Sequence, residues 1–164
     1  MAREILYRVC YGSSNVSHDP FKAKFAASLS IKNAILHDYC RHKVDRADYP
    51  GIIPEKGRTV RGTYVTGLTE HDIQLLDWFE GSEYTRQQVA VSLLEADAEN
   101  NLVEGSEVQT ETYVFTAGRD QLETAEWDYE VFRREKIHRW ADLSGEYDGI
   151  MSFLECLRQH ADVE

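Results

Sequence analysis

The residues best suited to acid–base chemistry lie in one segment, Asp77-Trp-Phe-Glu-Gly-Ser-Glu-Tyr84. Glu80 follows two aromatic residues and precedes a glycine at which a helix is expected to end. Partial burial there raises the pKa of a carboxyl group and makes it a better base near neutral pH. Asp77 lies one helical turn earlier, so the two carboxylates can couple. The alternative is that Asp77, Glu80 and Glu83 form only the solvated face of a surface helix.

The histidines and cysteines show no spacing typical of a metal site. His37 and His42 are five residues apart in an expected strand, so their side chains would point to opposite faces. The three cysteines are widely spaced and contain no Cys-x-x-Cys pair, which indicates ordinary thiols; they are Cys10, Cys40 and Cys156. No phosphate-binding glycine loop or serine nucleophile elbow is present. The sequence therefore predicts no metal and no nucleotide cofactor.

The first third of the chain predicts two helices and an extended segment. Residues 2–10 favour a helix, and Tyr11–Asn15 has turn composition. A second helix is expected within Ser17–Leu29, capped by Ser17 or Asp19, with Pro20 near its first position. An extended segment follows from Ile31 to Val44.

The middle of the chain predicts turns, a strand and the helix that carries Glu80. The expected turns are Tyr49–Gly51 and Pro54–Gly57, and Thr59–Thr66 reads as a strand in which Gly62 marks a bulge or a close backbone approach. A helix capped at Thr69 should end near Gly81. Its expected apolar face consists of Ile73, Leu76 and Phe79.

The rest of the chain predicts a hairpin followed by two helices. Val89–Leu93 alternates as a strand, and Thr112–Thr116 is its expected antiparallel partner. Residues 95–111 between them show no sustained apolar period and are interpreted as a mobile, solvated connection. Helices are expected over about 126–140 and from about Glu146.

Composition and charge restrict the class of protein. The chain has 164 residues, a mass of 18.9 kDa and 42% apolar residues, as expected for a single globular domain over residues 1–164. Residues 1–94 carry a net charge of +1, whereas residues 95–164 carry −12. Nucleic acid and anionic membranes are therefore poor partners for the second part. The absence of a leader or spanning segment predicts a cytoplasmic protein, and nothing indicates its oligomeric state.

Several motifs together resemble the gamma-glutamylcyclotransferase family. They are Tyr49-Pro-Gly-Ile-Ile-Pro54, Val60-Arg-Gly62, Leu68, Leu76-Asp-Trp-Phe-Glu-Gly-Ser-Glu-Tyr-Thr-Arg86 and Glu126-Trp-Asp-Tyr-Glu-Val-Phe-Arg-Arg134. The last segment is similar to a C-terminal helix of the plant and fungal avirulence-induced-gene-like branch. The resemblance covers about residues 34–140. It implies an α+β fold, with a small mixed β-barrel over about 1–118, flanking helices, and C-terminal helices over about 124–160.

The resemblance also implies a reaction and the residues that perform it. The free α-amine of a γ-glutamyl group attacks its own γ-carbonyl, which gives 5-oxoproline and a free amine or amino acid. The family base falls on Glu80, and Tyr84 would line the pocket. A Tyr-Gly-Ser loop that holds the substrate carboxylate and the oxyanion corresponds to Tyr11, Gly12, Ser13 and Ser14. The implied partner is a small γ-glutamyl molecule, with no metal or cofactor.

A second interpretation of the amino-terminal residues stays open. Residues 1–6 resemble the helix that follows the loop in fungal members of the branch. In that case the family strand and loop would lie upstream of Met1, and Tyr11–Gly12 would be a turn of another kind. The protein would then be an impaired or truncated family member that binds a small metabolite or a protein.

Overall fold

The computed structural model describes residues 1–138, which divide into two compact units. Among the described residues, one unit comprises residues 1–29, 67–79 and 129–138, and the other comprises residues 30–66 and 80–128. The helices are α1 (Arg3–Tyr11), α2 (Pro20–Ser28), α3 (Glu70–Glu80) and α4 (Tyr129–Glu135). The strands are β1 (Ser30–Val44), β2 (Pro50–Thr66), β3 (Tyr84–Ala96), β4 (Leu102–Phe115) and β5 (Leu122–Glu126).

The end of α1 and the start of α2 carry residues that satisfy free backbone groups of these helices. The predictions for α1 and α2 are confirmed. The Asp19 carboxylate accepts the backbone N–H groups of Phe21 and Lys22, at 2.9 and 3.2 Å, and so caps α2. Gly12 ends α1 with a φ of 71°, a left-handed conformation that glycine adopts without a steric penalty.

Helix α3 begins with a reciprocal cap, as the sequence predicts. The Asp72 carboxylate accepts the backbone N–H of Thr69 at 2.8 Å, and the Thr69 hydroxyl accepts the backbone N–H of Asp72 at 3.1 Å. Asp72 is itself buried. The predicted apolar face is only partly right, because Leu75 and Leu76 are the buried apolar residues of α3 while Ile73 and Phe79 are half-buried.

The second unit is built on one antiparallel sheet with the strand order β2-β1-β3-β4. The α+β class is therefore confirmed, and the described strands form an open sheet where a small mixed β-barrel was expected. Along its second edge, β1 pairs with β3 only at Ala34 and Ile35 and then with β5 at His42 and Val44. Because β1 changes partners in this way, the path of described strands stays open.

Two apolar clusters stabilise the sheet unit. The larger one holds alternating residues of the first three strands, which point to the same face of the sheet. Its buried members are Ala34, Leu36, Val60, Val89, Val91 and Leu93. The smaller cluster consists of Val44, Ile53 and Phe115, with the half-buried Tyr49, Tyr84 and Leu122 packed against it. This second cluster supports the segment that follows Glu80.

Strand β2 replaces the two turns expected from proline and glycine. Pro50 is its first residue and Pro54 pairs with Tyr39, next to a register shift in β1. Proline is tolerated at both places because β2 is the first strand in the order and has one side without a described partner strand. Neither the bulge nor the close backbone approach expected at Gly62 is found, since Gly62 pairs regularly with Ala34 and a Cβ atom at this position would meet nothing within 4 Å.

The acidic segment between β3 and β4 is mostly strand. Residues 95–111 were expected to form a mobile connection, but β4 starts at Leu102 and only residues 97–101 join the strands. The Asp97 carboxylate accepts the Asn101 backbone N–H at 2.7 Å and closes this turn. The apolar alternation is weak because the first six residues of β4 are all exposed, so the cross-strand partners stabilise the strand instead.

The C-terminal predictions are confirmed in part. Strand β5 occupies residues 122–126, where the first expected helix was to begin, and α4 covers Tyr129–Glu135 of that helix; residues 139–140 of it lie outside the described residues. The helix expected from Glu146 lies outside the described residues. Among residues 1–138, no helix combines the length and the apolar character that crossing a membrane requires.

Candidate active site

Glu80 lies at the junction between a helix and a strand. It is the last residue of α3, and the 3-10 turn Gly81–Glu83 leads directly into Tyr84, the first residue of β3. Gly81 has a φ of 70°, so the chain turns at a position that favours glycine. The Phe-Glu-Gly sequence thus ends the helix and fixes the place of the carboxylate.

The turn after Glu80 is anchored at both ends by hydrogen bonds within the sheet unit. The Tyr49 hydroxyl donates to the Glu83 carboxylate at 3.2 Å, and the Thr116 backbone N–H donates to the Glu83 carbonyl oxygen at 2.8 Å. One step later, the Tyr84 hydroxyl donates to the Pro50 carbonyl oxygen at 3.1 Å. These bonds hold the backbone around Glu80, which is the preorganisation that a general base needs.

The electrostatics of Glu80 depart from those of an ordinary surface carboxylate. The side chain is half-buried, and burial raises its pKa from 4.5 to about 7. Desolvation, rather than coupling to Asp77, is the main cause, because it penalises the charged form. A carboxyl group with this pKa exchanges protons at neutral pH.

Two interactions within the sheet unit hold the side chain of Tyr84. Its ring packs edge-on against Phe115, with centroids 5.3 Å apart, and its hydroxyl is bonded to Pro50. Tyr84 and Glu80 thus lie at the two ends of the short turn Gly81–Glu83.

Tyr11, Gly12, Ser13 and Ser14 belong to the helical unit. Tyr11 is the last residue of α1, its ring stacks on Phe25 at 6.4 Å, and burial, followed by the charge of Asp72, raises its pKa well above the usual range. The Gly12 N–H donates to the Arg8 carbonyl oxygen at 2.8 Å. The Tyr-Gly-Ser segment is thus the C-terminal cap of a helix and does not follow a strand.

One group of reactive side chains was missed by sequence reasoning. Cys40, His42 and Glu55 place one ligand atom each within 4.8 Å of one another, the one such group of three found among residues 1–138. Cys40 and His42 are two residues apart on β1 and therefore share a face, whereas Glu55 comes from β2. The available signal was Cys-x-His in a strand.

Hydrogen bonds define the surroundings of this group. His42 is 6% exposed, its Nδ1–H donates to the Glu123 carbonyl oxygen at 3.1 Å, and its Nε2 lies 3.0 Å from the Glu55 carboxylate. The bond from His42 is the main reason that the pKa of Glu55 is lowered. A hydrogen bond with the Cys40 sulfur is the main reason that the pKa of Arg58 is raised.

Comparison with known proteins identifies the family. The sequence profile described as "Gamma-glutamyl cyclotransferase, AIG2-like" matches residues 9–129, which is most of the chain. The chain belongs to this family. The expectation drawn from the Tyr-Pro-Gly and Phe-Glu-Gly motifs is thereby confirmed.

Relatives in Arabidopsis thaliana agree with this assignment. The chain is 30% identical to AIG2-like protein D over 115 residues, which are 70% of this chain and 71% of the relative. It is 28% identical to Protein AIG2 B over 144 residues, or 81% and 80% of the two chains. A solution structure of another Arabidopsis thaliana protein is similar, with a TM-score of 0.50, 25% identity and coverage of 82% of this chain and 71% of that chain.

Proposed function

We propose that the protein is a cyclotransferase that converts a γ-glutamyl amine or peptide into 5-oxoproline and a free amine, with Glu80 as the general base. Family membership supports the reaction class. The single observation that carries the role of Glu80 is its pKa of about 7 at a half-buried, anchored position. A cytoplasmic location and a small-molecule substrate remain predictions of the same proposal.

The proposed mechanism needs one proton carrier. The substrate amine forms a bond to the γ-carbonyl carbon, the bond from that carbon to the leaving nitrogen breaks, and Glu80 carries the ammonium proton to the leaving amine. An α-ammonium group has a pKa of about 8, so a base with a pKa near 7 accepts its proton with a mismatch of only about one unit. The pKa of an ordinary glutamate lies more than three units below that of the ammonium group, and each unit of this difference adds about 1.4 kcal/mol to the proton transfer.

Ring closure itself requires little further help from the protein. The attacking and the accepting groups belong to one molecule, so their encounter is already intramolecular. The protein must hold the substrate folded and stabilise the oxyanion. We assign a pocket-lining role to Tyr84, as the family resemblance implies.

The test is release of 5-oxoproline from a panel of γ-glutamyl peptides and γ-glutamyl amines, measured by mass spectrometry. Wild type should turn over at least one of them, and Glu80→Gln should lower the rate about 10²- to 10⁴-fold, the usual contribution of a general base. Glu83→Gln is the matched control, because it removes a charge three residues away and keeps an acceptor for Tyr49. Equal rates in wild type and Glu80→Gln would overturn the role of Glu80.

A second function is favoured by the environment of Gly12. Its N–H is committed to the Arg8 carbonyl oxygen, and the segment follows a helix. A family member that lacks an oxyanion loop would bind a γ-glutamyl metabolite without converting it. Calorimetric binding of the same panel, with no 5-oxoproline released, would favour this binding module over the enzyme.

A further inference from the structure

The sheet unit contains a compact group of metal-binding side chains with no role in the proposed reaction. Cys40 on β1 is 1% exposed, and His42 lies two residues further on the same face. Glu55 on β2 completes the group, with the three ligand atoms within 4.8 Å of one another. Thiolate, imidazole and carboxylate are the ligands that zinc uses.

We propose that Cys40, His42 and Glu55 form a binding site for one thiophilic divalent cation, of which Zn²⁺ is the best fit. Bonds of about 2.0 to 2.3 Å in a tetrahedral site separate two ligand atoms by roughly 3.3 to 3.6 Å. The Nε2 of His42 and the carboxylate of Glu55 are already 3.0 Å apart. Water takes the fourth position, as in other zinc sites with three protein ligands.

The orientation of His42 supports this assignment. Its Nδ1–H is fixed by the carbonyl oxygen of Glu123 on β5, an interaction that commonly positions metal-binding histidines and leaves Nε2 for the ion. Glu123 is itself held, because its carboxylate accepts a hydrogen bond from Lys43. The ring is therefore oriented by a second strand before any metal is bound.

The charges around the group determine which ion it prefers. Arg58 pairs with Glu126 and lies 4.0 Å from Glu55, and Arg119 donates to Glu55 at 3.2 Å. The positive charges of these guanidinium groups disfavour the binding of a hard cation, which is held by charge alone. An ion that forms a strong bond to thiolate is selected instead, because soft sulfur ligands favour zinc and its analogues over Mg²⁺ or Ca²⁺.

Binding exchanges protons for the ion. The thiol of Cys40 loses its proton as the bond from sulfur to metal forms, and the metal replaces any proton between His42 Nε2 and Glu55. No electron is transferred in this step. Glu55 is the most exposed of the three side chains, at 30%, and provides the entry side.

Cobalt titration of the full chain tests the proposal. After treatment with a chelator, wild type should bind one equivalent of Co²⁺ with a charge-transfer band from thiolate and the visible bands of tetrahedral cobalt, and Zn²⁺ should displace it. Cys40→Ser should abolish the thiolate band, and His42→Gln should weaken binding by about tenfold or more. Cys10→Ser and Cys156→Ser are the matched controls and should bind as wild type does.

Two results would overturn the proposal. One is the absence of stoichiometric Co²⁺ binding by folded wild type. The other is a thiolate band that persists in Cys40→Ser or disappears in Cys10→Ser or Cys156→Ser. If Cys40→Ser does not fold, Glu55→Gln provides the second test, because it should lower the affinity for Zn²⁺ and the increase in Tm that Zn²⁺ produces.

Discussion

Gly51 lies directly against the ring of Phe115, so that a Cβ atom at position 51 would be 2.7 Å from Cγ of Phe115. This contact gives a structural reason for the glycine in the Tyr-Pro-Gly motif. Glycine lets β2 pass close to the cluster formed by Val44, Ile53 and Phe115. The same cluster packs against Tyr84, which follows the turn at Glu80.

Substitution of Gly51 should therefore destabilise the sheet unit. In Gly51→Ala the added methyl group overlaps Phe115 and approaches Leu122 to 3.0 Å, so we expect a loss of about 1 to 3 kcal/mol in the free energy of unfolding, measured with urea. Gly62→Ala is the control, because nothing lies within 4 Å of its Cβ position in the same strand. Equal stability of the two variants would contradict this explanation.

The activity of the proposed enzyme should follow a narrow bell-shaped dependence on pH. Glu80 must be ionised to accept a proton, so kcat/KM should rise as pH increases through about 7. The substrate must carry its ammonium proton, so kcat/KM should fall above about 8. A single rising limb near 8, with no ionisation near 7, would instead indicate reaction of the free amine without Glu80.

Ionisation of Glu80 should lower the free energy of unfolding at high pH. In the unfolded chain Glu80 titrates near 4.5, whereas in the folded chain it titrates near 7. Between these values the folded state keeps a proton that the unfolded state has lost, so stability falls as pH rises. Glu80→Gln cannot ionise and should gain up to roughly 3 kcal/mol over wild type between pH 4 and pH 8.

Urea unfolding of both proteins at a series of pH values measures this difference. Glu83→Gln should keep the pH dependence of wild type, since it leaves Glu80 unchanged. Parallel curves for wild type and Glu80→Gln would show that burial does not shift the pKa of Glu80.

The cap of α3 should contribute measurably to the helical unit. Asp72→Ala removes the acceptor of the Thr69 N–H and hydroxyl groups, so we expect a loss of about 1 kcal/mol and a lower Tm. It should also lower the pKa of Tyr11 toward its usual value, because the charge of Asp72 helps to raise that pKa. Ultraviolet titration measures the second effect, and the exposed Glu70→Ala serves as the control for both.

The position of Glu80 could be read from the sequence because local signals define it. The Thr69 cap and Gly81 mark the two ends of α3, and each acts within one helical turn. The meeting of His42 with Glu55 depends instead on the register between β1 and β2, which shifts between His37 and Tyr39. No local pattern encodes such a shift, so spacing along the chain could not predict that these side chains lie close together.

The first half of β4 could not be predicted from the sequence, because it is exposed on both faces. Strand residues were recognised by apolar alternation, but Leu102 to Glu107 are all exposed. Pairing with β3 across the hairpin defines this strand. One of the cross-strand interactions is an ion pair between Arg86 and Glu111, at 2.8 Å. Side chains that neither alternate between polar and apolar nor enter a core give no hydrophobic period from which a strand can be predicted.

Strand β4 also ends the order of described strands, and it carries Glu104, Glu107 and Glu111. An outermost strand can recruit the same strand of another copy, which leads to aggregation. Carboxylates along this strand make two copies repel each other at neutral pH. Acid removes negative charge from carboxylates, so we expect turbidity to appear first under acid conditions, and Lys substitutions at the same positions should move it toward alkaline pH.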